Sequence, residues 1–224
     1  MPMSRKKNNS IIAITFVLIL ITGILFKQAF YRMLPLFVSL FVMTLQSKIN
    51  RYGFLLGSAN CVLYTIVYLY LGLYASIAST VLFSLPIQLI TFFNWKKRSY
   101  HYAVMLKKMS IKLRIGTGIA FAVVWAVTFA ILSFTNANCA ILDNTASLLG
   151  ILVSFLTMLA YVEYAYLGVV NSILGIFLNL QVMASDPSHI TYVIYAFFAL
   201  YCVILGAINV NKLYRKQQEE EFDS

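Results

Sequence analysis

The stretch from Tyr52 to Trp95 contains no charged residue, and its length constrains the fold more than any other feature of the chain. One helix needs about 20 apolar residues to cross the hydrocarbon of a bilayer. The stretch is too long for one crossing and predicts two, divided near Gly72. Soluble domains carry about 25% charged residues, whereas this chain carries 11% and is 61% hydrophobic. The composition therefore excludes a soluble globular fold.

Six further apolar stretches bring the number of predicted crossings to eight. The eight spans cover residues 11–26, 30–46, the two halves of 52–95, 115–134, 144–161, 164–183 and 190–210. Basic residues precede the first span as they do in a signal peptide, but no small-residue cleavage site follows Phe26. We therefore interpret residues 1–29 as an uncleaved, extra N-terminal transmembrane helix of an all-α polytopic membrane protein.

The basic residues are clustered between the apolar stretches. If both termini lie in the cytoplasm, fifteen of the seventeen lysine and arginine residues fall on the cytoplasmic side, and only Lys27 and Arg32 fall outside. The largest cluster is the loop at 96–114, and residues 212–224 form a cytoplasmic tail. The net charge of +10 therefore indicates topology in a cell membrane and predicts no nucleic-acid partner.

The basic loop at 96–114 also contains apolar residues at helical spacing. They are Tyr102, Met105, Leu106 and Met109, with lysines among them. A short helix with an apolar face and a basic face lies in the interface of a bilayer and is attracted to anionic lipid. We expect such an interfacial helix in this loop.

Two parts of the chain resemble each other. Leu-Gly-x-x-Asn occurs at 56–60 and again at 167–171, and the preceding helices share Val-Ser at 38–39 and 153–154. We predict three-helix repeats at 30–95 and 143–211, joined by a linker helix at 115–134. A single connecting helix would make the two repeats parallel, related by an axis along the membrane normal. The alternative is that Gly-x-x-Asn recurs by chance in apolar sequence.

The sequence contains no pattern typical of an enzyme. His101 and His189 lie far apart, and Cys61, Cys139 and Cys202 have no Cys-x-x-Cys spacing, so neither a metal site nor a nucleophilic site is formed. We predict no catalytic residue, no metal and no cofactor.

The polar residues predicted at membrane depth are amides and phenols. The acidic residues Asp143 and Glu163 lie at helix ends, so no carboxylate is available at mid-membrane for proton or sodium coupling. This absence favours a facilitator. Asn60, Gln88 and Asn171 are candidate ligands for the polar edge of a heterocycle, although amides also serve to hold helices together.

Two further residues, Asn179 and Pro86, can be interpreted as purely structural. Asn179 is interpreted as a contact between helices. Pro86 removes one backbone hydrogen bond within the fourth span, which creates either a hinge or a tolerated kink.

The segment 86–97, Pro-Ile-Gln-Leu-Ile-Thr-Phe-Phe-Asn-Trp-Lys-Lys, resembles the Pro-x-Gln-x-x-Gly-x-x-x-Trp-basic signature of Pnu-type (PnuC-like) transporters. These proteins take up nicotinamide riboside, thiamine and other nucleoside-like substrates. The resemblance covers about residues 30–216. It implies two three-helix units related to those of SWEET-type sugar transporters, with a central site, facilitated diffusion and trapping of the substrate by a separate kinase.

The family's functional residues fall on Gln88, Trp95 and Asn171. We expect Gln88, Asn60 and Asn171 to bind the polar edge of the substrate, and Tyr164 and Phe92 to stack on its ring. The family's glycine is Thr91 here, and its two later tryptophans are Tyr164 and Leu167.

These departures leave nicotinamide riboside, thiamine and deoxynucleosides open as substrates. The sequence also leaves open a homo-oligomer and a different class of protein, a membrane assembly subunit that transports nothing.

Overall fold

The described residues of the computed structural model are 5–70, 80–100, 103–134, 140–185 and 187–222. Eight α-helices are formed within them: α1 (Arg5–Leu25), α2 (Phe30–Ser47), α3 (Tyr52–Tyr70), α4 (Leu85–Lys97), α5 (Ile111–Ser133), α6 (Ala140–Met158), α7 (Glu163–Ser185) and α8 (Ile190–Phe222). A π-helical turn, Thr80–Ser84, precedes α4, and a 3₁₀ turn, Pro187–His189, precedes α8. The predicted division near Gly72 lies outside the described residues.

Most of these helices are apolar enough to lie in a bilayer. Four described segments have the length and hydropathy of membrane spans: Phe30–Ser47, Ile111–Ile131, Glu163–Ala184 and Pro187–Glu220. Shorter apolar segments occur in α1, α3 and α6. The outward-facing side chains of α5 are mostly large and apolar, as expected where lipid replaces water.

The helices pack as two groups of three with α5 between them in the chain. Within the first group α2 packs on α3 and α3 on α4, and within the second α6 packs on α7 and α7 on α8. Between the groups, α2 packs on α8 and α4 on α6. The first helix of each group therefore contacts the third helix of the other, which is the reciprocal pattern of a two-fold axis. The parallel orientation of the two predicted repeats stays a prediction.

One apolar cluster joins the helix ends on the side where the basic residues were predicted. Its buried members are Ile49, Phe54, Trp95, Val104, Leu106, Ala160, Val162, Ala165 and Val210. They come from the α2–α3 connection, the end of α4, the basic loop, the α6–α7 connection and the far part of α8. These segments therefore share one end of the molecule, which we call the inner end.

At the opposite end, the connection between α1 and α2 is hydrogen-bonded to the segment between α7 and α8 and to the start of α8. The Gln28 amide donates a hydrogen bond to the Ser188 carbonyl, and the Thr191 hydroxyl donates to Gln28 Oε1 at 3.2 Å. Lys27, which was predicted to lie outside, is in this region. The α1–α2 and α7–α8 connections thus lie together, away from the inner end.

The interfacial helix predicted in the basic loop is wrong. Ser99–Tyr100 and Ala103–Val104 form a short antiparallel hairpin, and residues 105–110 are also non-helical. Leu106 and Met109 are buried and face protein where lipid contact was expected, whereas Met105 is exposed. The backbone finds hydrogen-bond partners in distant segments, so a helix is not needed to satisfy it. Tyr102 of the predicted helix lies outside the described residues.

The basic loop is bonded to the second group of helices on two sides. Lys107 N–H donates to the Ala160 carbonyl at 3.0 Å, and Val162 N–H donates to the Lys107 carbonyl at 2.9 Å. On the other side, the buried Gln217 side chain accepts from Leu106 N–H at 3.0 Å and donates to the Val104 carbonyl at 2.9 Å. The Gln217 carboxamide thus bonds to the backbone of the loop in the way that a neighbouring β-strand would.

Gln217 lies on an extension of α8 that the sequence did not predict, because apolar periodicity ends near Val210. A second contact from this extension joins Tyr100 to Glu220. The Tyr100 hydroxyl donates a hydrogen bond to the Glu220 carboxylate, which raises the pKa of Tyr100 to about 12. The phenol is therefore a protonated donor at neutral pH.

Gln217→Ala should destabilise the inner end. The substitution leaves one buried N–H and one buried carbonyl unpaired, which costs roughly 1–3 kcal/mol for each group. We expect a lower melting temperature of the purified protein in detergent. Gln218→Ala is the matched control, because the Gln218 side chain is exposed and bonds only to Tyr214 of its own helix. Equal melting temperatures for the two variants would contradict the role given to Gln217.

Candidate functional site

A cavity of about 270 Å³ lies between the two groups of helices. All three helices of each group contribute to its lining, together with the π-helical turn before α4. Its polar side chains are Gln46, Gln88, Tyr164 and five serine and threonine residues, and none of the described residues in its lining is charged. The cavity therefore offers hydrogen bonds and aromatic surface to a ligand in the absence of a full charge.

Four of the five serine and threonine hydroxyls in the lining are already used as donors to backbone carbonyls. Thr91 donates to the Ile87 carbonyl at 2.6 Å, and Thr157 donates to the Val153 carbonyl at 2.7 Å. Ser154 likewise donates to a carbonyl of its own helix. A hydroxyl whose proton is engaged in this way presents its lone pairs to the cavity. The lining is therefore richer in acceptors than in donors.

Gln88 borders the cavity from α4, as its predicted role requires. Its carboxamide oxygen is buried and has no hydrogen-bond partner among the described residues. Its amide nitrogen lies 3.8 Å from Cys61 Sγ, a weak contact. An unpaired buried carbonyl is costly, so a ligand N–H or O–H that reaches this oxygen would supply the hydrogen bond that it lacks.

Pro86 determines where α4 begins. It lies in the first turn of this helix, where a missing N–H is tolerated, and the π-helical turn Thr80–Ser84 comes directly before it. The sequence suggested either a hinge or a kink within one helix. The structure instead has a change of helix type ahead of the proline, which places Gln88 in the first turns of a new helix.

Tyr164 is the second predicted site residue in the lining. Its ring lies near that of Trp95, with 6.3 Å between the ring centroids. Trp95 is buried and its indole N–H donates to the Thr157 carbonyl at 2.8 Å. The family-signature tryptophan thus connects α4 to α6 and supports the wall that carries Tyr164.

The remaining three predicted residues lie outside the lining. Phe92 packs against Tyr52, with ring centroids 5.9 Å apart. Asn60 is buried and donates to the Pro35 carbonyl at 3.2 Å and to Ser39 Oγ at 2.8 Å, so it connects α3 to α2. Asn171 lies three residues after Gly168 of the lining, and its side-chain oxygen has no partner among the described residues.

The contacts of the two asparagines correspond to each other. In the alignment of the repeats, Gly150 takes the place of Pro35. Asn60 bonds to Pro35, and the Asn171 amide nitrogen lies 3.4 Å from where a β-carbon on Gly150 would be. Each asparagine therefore faces the same position of the preceding helix, which further supports the repeat.

Sequence reasoning missed the part of the lining that comes from α2 and α8. Gly206 of α8 faces Ser47 of α2: a β-carbon on Gly206 would lie 3.4 Å from the Ser47 α-carbon, which is an ordinary contact distance. The adjacent Ala207 also borders the cavity. A pair of small residues in an apolar span is a signal of close helix packing and could have identified this wall.

Comparison with known proteins identifies the family. A family model described as nicotinamide mononucleotide transporter matches residues 30–205. The chain belongs to this family. The predicted resemblance is thereby confirmed, and the protein is a multi-pass membrane transporter and not an enzyme.

A solved structure shares the fold. The structure, described as the vitamin B3 transporter PnuC, has a TM-score of 0.76 to this chain and covers 93% of it, with 92% of its own chain covered. The two sequences are 18% identical, so the likeness establishes the fold. No curated protein sequence matches the chain.

Asn60→Ala should reduce stability, because it removes the two hydrogen bonds that connect α3 to α2. The loss should be about 0.6 kcal/mol for each bond, the average for bonds between helices in membranes. The measurement is the melting temperature without ligand. Thr65→Ala is the control, because its hydroxyl bonds only within its own helix, to the Cys61 carbonyl. A melting temperature of Asn60→Ala that equals the control would contradict this role.

Proposed function

We propose that this protein is a facilitator that takes up a nucleoside-like vitamin precursor through the cell membrane, with nicotinamide riboside the first candidate. The observation that supports the proposal most strongly is the uncharged, acceptor-rich cavity between the two groups of helices. The family model and the solved structure are both named for vitamin B3 or its precursors. We further propose that both termini lie in the cytoplasm.

The chemistry of the lining favours a nucleoside over its phosphate ester. A phosphate group requires arginine, lysine or clustered N–H donors when it leaves water, and an unpaired charge is very costly to bury. Among the described residues, the lining contains neither lysine nor arginine. Nicotinamide riboside lacks the phosphate and carries a cationic ring, a carboxamide and sugar hydroxyls.

These groups suit the side chains at the cavity. The ring can stack on Tyr164, where an aromatic face also attracts a cation. The substrate's amide and hydroxyl protons suit the unpaired Gln88 oxygen and the lone pairs of the serine and threonine hydroxyls. Asn171 is proposed as a further polar contact, and Asn60 and Phe92 would support the walls behind Gln88 and Tyr164.

No carboxylate occurs among the lining residues that the structure describes, and this favours transport without a coupling ion. Glu163 is engaged elsewhere: its carboxylate is paired with Arg114 at 2.6 Å and accepts a hydrogen bond from Met109 N–H. The Asp143 side chain lies outside the described residues. Retention of the substrate would then depend on a separate kinase inside the cell.

In kinase-free proteoliposomes, nicotinamide riboside should reach the outside concentration and should not accumulate above it, because the proposed transport is not coupled to an ion gradient. Uptake of labelled substrate is the measurement, and empty liposomes are the control. Nicotinamide mononucleotide should enter more slowly. Accumulation driven by an imposed proton or sodium gradient would contradict the facilitator.

The same assay separates the alternatives. Entry of thiamine or a deoxynucleoside in place of nicotinamide riboside would replace the first candidate and leave the transport function intact. No entry of any of these compounds would favour the assembly subunit.

Gln88→Ala and Asn171→Ala should each weaken binding by roughly 1–3 kcal/mol, the cost of leaving a buried polar group without its partner. Binding is measured as the shift in melting temperature with ligand concentration. Asn179→Ala is the control, because this amide bonds to the Gly175 carbonyl and to His189. It should lower the melting temperature and leave affinity unchanged. If all three variants kept full affinity, the site would lie elsewhere.

A further inference from the structure

Gly57 of α3 lies directly against the carboxamide of Gln88. A β-carbon at position 57 would be 2.1 Å from Gln88 Oε1, 2.7 Å from Cδ and 2.9 Å from Nε2. All three distances are shorter than real contacts of a β-carbon. The carboxamide therefore occupies space that exists only because residue 57 has no side chain.

Such a close approach depends on the partner of each glycine. A β-carbon on Gly23 or Gly53 would also meet a side chain too closely, Met33 at 2.4 Å and Gln46 at 2.9 Å, whereas other glycines have more space. A β-carbon on Gly168, which occupies the equivalent position of the second repeat, would meet Val203 and Val153 at 3.4 and 3.9 Å, which are acceptable distances. A β-carbon on Gly116 or Gly118 of α5 would meet nothing within 4 Å. The close approach at Gly57 is thus specific to its partner and is no general property of glycine in these helices.

The surface of α3 around Gly57 holds both ends of the carboxamide. Cys61 lies four residues after Gly57, so the two residues share one face of the helix. The oxygen of Gln88 lies over Gly57, and its nitrogen contacts Cys61 Sγ at 3.8 Å. A glutamine side chain has three rotatable bonds, and this face of α3 selects one arrangement of them.

We propose that Gly57 is a positioning residue that fixes the Gln88 carboxamide at the wall of the cavity; the consequence for substrate rests on the function proposed above. A methyl group at position 57 displaces the carboxamide from α3. The cavity is the open space beside it, and a carboxamide turned into that space occupies volume that the ligand needs. Gly57 therefore affects binding through Gln88 and makes no substrate contact of its own.

A double-mutant cycle tests this assignment. The variants are Gly57→Ala, Gln88→Ala and the double variant, and Gly116→Ala is the matched control. Each is purified, and its affinity for nicotinamide riboside and its melting temperature without ligand are measured. Mutations that act through one contact are non-additive.

Gly57→Ala alone should weaken nicotinamide riboside binding tenfold or more. In the Gln88→Ala background the same substitution should cause no further loss, and Gly116→Ala should bind like the unmodified protein. An equal loss in both backgrounds, or full affinity of Gly57→Ala, would overturn the proposal.

The melting temperatures without ligand separate this proposal from the proposed function. In the Gln88→Ala background, alanine at 57 fills vacated space and favours the helix, so the melting temperature should rise. In the unmodified background it should fall or stay unchanged. If the unmodified protein binds none of the candidate substrates, the proposed function fails, whereas this cycle still decides whether Gly57 positions Gln88. Identical effects in the two backgrounds would overturn that role.

Discussion

Two hydrogen bonds between the helical groups determine how the rest of the structure is arranged. On one side, Trp95 donates to the carbonyl of Thr157, in the last turn of α6, at 2.8 Å. On the other side, Asn209 donates to the carbonyl of Ser47, the last residue of α2, at 2.8 Å. In each case the third helix of one group satisfies a helix-end carbonyl in the first helix of the other. Ser47 and Thr157 are both buried, so water does not replace these donors, and the cavity lies between the two contacts.

The membrane fold could be predicted from the sequence because hydropathy and charge report directly on the solvent around a helix. The charge-free stretch beginning at Tyr52 and the other apolar stretches predicted the class of fold and the eight helices that the described residues form. The basic loop could not be predicted in the same way. Periodic apolar residues such as Leu106 reveal that a face is buried but not what buries it. Here the partners are Ala160 and Gln217, which are distant in sequence.

The candidate site was predictable where the chemistry of a residue type is distinctive. Gln88 and Tyr164 border the cavity, whereas Asn60 belongs to the contact between α2 and α3. An amide at membrane depth needs a partner in either case, so its presence alone does not distinguish a ligand site from a helix contact. The glycines are still harder to interpret from sequence, because the importance of Gly57 depends on one side chain from another helix.

The basic loop has a mechanical property that follows from its hydrogen bonds. It begins at α4, in the first group of helices, but its backbone is bonded to the α6–α7 connection and to the extension of α8. Only the few residues around Arg98 separate Trp95 from this attachment, and Arg98 itself donates to the Leu159 carbonyl at 3.2 Å. The chain between the groups therefore has almost no slack at this end. A rocking motion of one group against the other would therefore stretch this short connection at once. The inner ends of α4 and α6 can separate only if the hydrogen bonds of the loop break or if the loop moves together with the helices.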